Sequence, residues 1–80
     1  MNNSMNYYNF YFDQNEMKMI EEVQEKLEKN MSKTEARIAI FYSSFILLMK
    51  EDSRYVEQFG VDYWTNQITS EYRKRNKRIK

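Results

Sequence analysis

The sequence predicts a mainly α-helical fold in a single domain, with a short N-terminal strand followed by three to four helices. Three observations carry that prediction. Residues 36–49, ARIAIFYSSFILLM, contain an uncharged run from Ile38 to Met49 in which Ser43 and Ser44 alone break the apolar character. Two capping-box patterns, Asp13 with Glu16 and Ser32 with Glu35, mark helix starts. Proline is absent and Gly60 is the lone glycine, so little in the chain interrupts a helix.

In chain order, residues 1–5 (MNNSM) are polar and expected to be disordered. Residues 6–12 (NYYNFYF) form the one strand-like run, because aromatic side chains favour the extended state. Alternation then puts Tyr8, Phe10 and Phe12 on one face and Tyr7, Asn9 and Tyr11 on the other. A lone strand leaves its backbone groups unpaired, so this reading calls for a second chain.

The first helix is expected over residues 13–30. Asp13 caps it, and Met17, Ile20, Val23 and Leu27, with Met19 beside them, form a narrow apolar stripe. Glu21, Glu22, Glu25, Lys26, Glu28 and Lys29 lie opposite, with Glu22–Lys26 and Glu25–Lys29 as favourable i,i+4 pairs. This charge run reads as a solvated face, not a metal site. Asn30 tolerates the left-handed conformation and serves as a stop.

The segment SKTE then opens a second helix over residues 32–50. That helix is apolar nearly all the way round, which predicts burial on most sides. Its uncharged run is too short to cross a bilayer, which takes about 20 residues. Eighty residues give little material to surround it, so a partner subunit is the natural second wall. Ser43 and Ser44 are expected to bond back to carbonyls of the preceding turn, or else to permit a close helix crossing.

Residues 51–60 predict a short helix in which Tyr55, Val56 and Phe59 share a face, ended by Gly60. A last helix is expected over 62–75, capped by Asp62, with Tyr63, Trp64, Ile68 and Tyr72 as its apolar stripe. Trp64 would dock that helix on the core. Residues 73–80 form a basic tail.

Composition excludes several functions. Without Cys or His there is no thiolate nucleophile or ligand, no disulfide framework, no imidazole base, and the commonest metal ligand is missing. No glycine-rich phosphate loop is present. No catalytic residue, cofactor or metal is therefore expected, and an enzyme is the least favoured class. The N-terminus lacks the charged and apolar regions of a secretion signal, which makes a cytoplasmic protein the expectation.

The net charge of +1 hides an asymmetry. The final eight residues, RKRNKRIK, hold six of the thirteen basic groups, leaving seven against twelve acidic residues elsewhere. Such an end either touches a polyanion or is simply a solvated terminus. A membrane-surface role has little support, since Ile79 is the tail's one apolar anchor.

The order of strand, charged helix, tight break and Ser-capped apolar helix resembles that of ribbon-helix-helix (Arc/MetJ-like) DNA-binding proteins. The break Asn30-Met31-Ser32-Lys33-Thr34-Glu35-Ala36 is similar to that family's turn, and the resemblance covers residues 6–50. It implies a homodimer whose paired strands enter the major groove of DNA and whose second helices form the dimer core. It further implies that Tyr7, Asn9 and Tyr11 face the bases and that Ser32, Lys33 and Thr34 lie at the phosphate. Arg73, Lys74, Arg75, Lys77, Arg78 and Lys80 would add salt-dependent phosphate contacts. Several positions depart from the family pattern. The predicted groove face carries no Lys, Arg or Gln, Asn30 stands where the family has Gly, and Arg37 falls where an apolar residue is common. The rival class is a small helical adaptor or inhibitor docking on a larger protein, which the abundance of Tyr and Met supports.

Overall fold

The computed structural model describes residues 12–79, without the side chains of 76–79. Four helices follow one another: α1 (Gln14–Leu27), α2 (Lys33–Phe41), α3 (Ser44–Glu51) and α4 (Ser53–Ile79). The strand expected over 6–12 lies outside the described residues, apart from Phe12, which precedes the first cap and packs against the core.

Local chemistry sets the first two helix starts. The Asp13 side chain accepts from Glu16 N–H at 2.9 Å while the Glu16 carboxylate accepts from Asp13 N–H at 2.9 Å. Ser32 and Glu35 repeat this reciprocal pairing, at 3.1 Å in both directions. Each box satisfies two amide donors that a helix start otherwise leaves orphaned. The first helix ends at Leu27, and Glu28–Asn30 form the turn that leads to Ser32.

The single helix expected over 32–50 is two helices. Tyr42 ends α2, and Ser43 adopts an extended conformation as the N-cap of α3. Its hydroxyl donates to the Ile40 carbonyl at 2.6 Å and accepts from Ile46 N–H at 3.4 Å. Serine competes for backbone partners in this way, and here it closes one helix and opens the next. The expected back-bond to the preceding turn is thus present, but at a break.

Burial all round is also corrected. Ala36, Ala39, Ile40, Phe45 and Met49 face inward, whereas Ile38, Phe41, Tyr42 and Leu47 are exposed. A continuous helix would not bring 36, 39 and 40 and then 45 and 49 onto one core, because the step from 40 to 45 overshoots a turn. The extended residue at 43 resets the phase.

The short helix and the last helix join into α4, which bends at Gly60, with φ 81° and ψ 172°. Gly60 ends the first segment as expected, but Asp62 does not cap the second. The helix also continues past Arg75 to Ile79, so the basic segment is helical there and not a separate tail. Val56 is buried while Tyr55 and Phe59 point outward, so these three do not share a face.

Trp64 lies in the core, 2 % exposed, with its ring centroid 5.5 Å from that of Phe45. Its indole N–H donates to the Val56 carbonyl at 2.8 Å, tying together the two sides of the bend. Ile20, Val23 and Leu27 of α1, Ile40 of α2 and Ile68 of α4 complete the core, while Tyr63 of the predicted stripe is exposed. The chain's own α4 therefore packs on α1, α2 and α3 and supplies the wall that a partner subunit was expected to provide.

Candidate nucleic-acid interface

The end of α4 runs beside α2, and three side chains fix it there. Glu71 accepts from Ser44 N–H at 3.1 Å and from the Ser44 hydroxyl at 2.6 Å. A carboxylate at this spot satisfies an orphan amide and meets the positive end of the α3 dipole. The Tyr72 hydroxyl lies 3.5 Å from Glu35 Oε2 in the first turn of α2. Arg75 donates to the Tyr42 carbonyl at 3.0 Å, and its guanidinium carbon sits 5.1 Å from the centre of the Tyr42 ring.

These contacts gather two sets of predicted residues that are far apart in sequence. Ser32, Lys33 and Thr34 are exposed at the start of α2, and Arg73 and Lys74 are exposed on α4, with Arg75 half-buried between the two helices. The Ser32 hydroxyl is already committed to its cap. The backbone at Lys77 and Arg78 continues the same helix. Tyr7, Asn9, Tyr11 and Lys80 lie outside the described residues.

The outer side of α2 carries a surface the sequence reasoning missed. Phe41 is 51 % exposed and Tyr42 59 %, with ring centroids 5.1 Å apart at 88°, and Ile38 lies one turn earlier. Together with Arg37 they line a shallow groove. The spacing Lys33, Arg37, Phe41 places two cations and a ring along one stripe of α2. That signal is present in the sequence, but it falls within an apolar run expected to be internal.

A second exposed apolar surface lies on α4. Tyr55, Phe59 and Tyr63 form a ladder, with centroids 5.0 Å and 4.7 Å apart, the second pair stacked at 27°. Exposed Asp52 and Asp62 lie beside it in sequence. Lys26 reaches Asp62 at 2.7 Å, in place of a pairing within α1. The hydrogen bond from Lys26, and then its charge, hold the Asp62 carboxyl below the usual carboxylate range.

Among the described residues, no group of three acidic side chains is placed to hold a metal ion. No helix among them is long and apolar enough to cross a membrane. The fold and surface thus define a small, mainly helical domain with a mixed basic and aromatic face. No protein-family model matches the chain, and neither a curated protein nor a solved structure matches it.

Proposed function

We propose that the protein binds nucleic acid through the outer face of α2 and the end of α4, as a small DNA-binding regulator would. One observation carries the reading: Glu71, Tyr72 and Arg75 fix the basic end of α4, on which Arg73 and Lys74 are exposed, against α3 and against α2, the helix that carries Lys33 and Arg37. Cations fixed on neighbouring helices neutralise a row of phosphates and release its counterions. The carboxylates of Glu71 and Glu35 are both engaged, Glu71 with Ser44 and Glu35 with Ser32.

The proposal rests on this surface more than on the ribbon-helix-helix resemblance. In that family the second helices form the dimer core, whereas the inner face of α2 is covered here by helices of the same chain. A homodimer remains part of the reading, since strand pairing by residues 6–12 requires a second chain. Light scattering across a hundredfold concentration range tests it, and a constant monomer mass would remove the ribbon from the mechanism.

The direct test is binding to a labelled duplex over a salt series. Neutralising Arg73 and Lys74 with Gln should lower the slope of log K against log salt by about 0.9 for each phosphate of the duplex that is no longer neutralised. Both residues are exposed, so the fold should survive. An unchanged slope would remove this face from the interface.

The ladder of Tyr55, Phe59 and Tyr63 favours a second reading, a protein-docking module. On that reading Phe59→Ser abolishes capture of a partner and leaves nucleic-acid affinity untouched.

A further inference from the structure

We infer that the nucleic acid this surface takes is a single strand, with bases stacked on Phe41 and Tyr42 and phosphates held by the flanking cations. The inference rests on the proposed nucleic-acid reading and goes beyond it by naming the ligand's form.

A duplex presents base edges in its grooves, and a helix reads them with polar side chains aimed at donors and acceptors. The outer face of α2 is built otherwise. Beyond Lys33, Thr34 and Arg37 it presents Ile38, Phe41 and Tyr42, which offer no such donors or acceptors apart from one phenol, and these three make up most of the exposed face. What flat, exposed rings recognise is the π-face of a base, and that face is accessible only when the base is unstacked from its neighbours. Phe41 and Tyr42 are more than half exposed, and their perpendicular arrangement lets both meet a base without sharing one plane.

The cations complete the pattern. Arg37 lies one turn before Phe41 on the same helix stripe, and Lys33 one turn before that. On the other side, Arg75 covers part of the Tyr42 ring and anchors to its carbonyl, while Arg73 and Lys74 lie further round α4, in a recess shared with Asn66, Thr69 and Ser70. A pair of rings between the Lys33–Arg37 stripe and Arg75 can hold a phosphate backbone while its bases stack. The Tyr55–Phe59–Tyr63 ladder lacks this arrangement, since exposed Asp52 and Asp62 lie beside it in sequence.

The test compares a labelled oligothymidine of about 15 nucleotides, long enough for one binding site, with a duplex of the same length. An RNA strand of matching sequence, and an abasic strand carrying only sugar and phosphate, complete the set. Fluorescence anisotropy should show the single strand binding at least about ten-fold tighter than the duplex. Phe41→Ser and Tyr42→Ser should each weaken single-strand binding by about ten-fold. Both variants should leave the abasic strand unaffected, because it has nothing to stack. The RNA arm tells which sugar is preferred. Since Phe41 and Tyr42 are exposed, circular dichroism should show both variants folded. Duplex binding equal to single-strand binding, with neither variant altering it, would overturn this inference and leave the proposed function standing. Absence of binding to any of the four would overturn both.

Discussion

Replacing Glu71 with Ala removes both hydrogen bonds that hold the end of α4 on the start of α3. One accepts from Ser44 N–H at 3.1 Å and the other from the Ser44 hydroxyl at 2.6 Å. Hydrogen bonds to a charged partner contribute about 1.5–3 kcal/mol each when well formed. The site is only partly buried and water can replace the carboxylate, which lowers the combined loss to about 2 kcal/mol. For a domain of this size that corresponds to a fall in Tm of about 10 °C. Urea denaturation followed by circular dichroism measures the change. Ser44→Ala removes the hydroxyl bond alone and should cost about 1 kcal/mol. Glu71→Gln keeps an acceptor for the amide and should fall between the parent and Glu71→Ala. The double variant should reveal a coupling of about 1 kcal/mol, since the two residues share one interaction. A Glu71→Ala protein within about 0.5 kcal/mol of the parent would refute the reasoning, because a change of that size is typical of an ordinary surface substitution.

Three further outcomes follow from other parts of the fold. Gly60 has φ 81° and ψ 172°, a region nearly closed to other residues, and a Cβ there would meet nothing within 4 Å. Gly60→Ala should therefore cost about 2 kcal/mol through the backbone alone, read from the urea midpoint. Gln24 Oε1 is buried and finds no donor among the described residues, although its amide nitrogen donates to Glu28 at 2.8 Å. Gln24→Leu should raise stability by about 1 kcal/mol, because removing an orphaned acceptor outweighs losing one bond at the rim. Lys26→Met should return the Asp62 carboxyl to the ordinary carboxylate range, followed by NMR titration. The sign is fixed by linkage: a lowered pKa means the pair stabilises the fold above the ordinary carboxylate value and is lost as pH falls through the lowered one. The parent should therefore lose this small contribution on acidification, and the variant should not.

What the sequence disclosed is what neighbouring residues decide. Both capping boxes span three residues, so Asp13–Glu16 and Ser32–Glu35 could be read directly and appear with both bonds formed. The stripe of Met17, Ile20, Val23 and Leu27 and the docking of Trp64 were legible because their partners needed only to be apolar. The break at Ser43 was not. An uncharged run looks alike from every side, so its periodicity carries no phase. The carboxylate at the new helix start comes from Glu71, 27 residues further along. For the same reason the exposed rings of Phe41 and Tyr42 read as core from sequence alone. Nothing local separates a ring that faces Trp64 from one that faces water.

The basic end, read from the sequence as either a contact with a polyanion or a solvated terminus, divides residue by residue into anchored and exposed positions. Glu71, Tyr72 and Arg75 lie within about one turn of α4 and bind Ser44, Glu35 and Tyr42, three points on α2 and α3. Arg73 and Lys74 fall between them and are left pointing to solvent. A helix that anchors some of its residues fixes where the others leave its backbone, so a ligand need not order the main chain at these two cations. Ordering each flexible charged side chain on binding still costs about 0.5–1.5 kcal/mol. The break at Ser43 is what makes the arrangement possible. It creates the helix start that Glu71 caps, and the capped start holds the basic turn beside the exposed rings of α2. The feature least legible in the sequence is therefore the one on which the candidate interface depends.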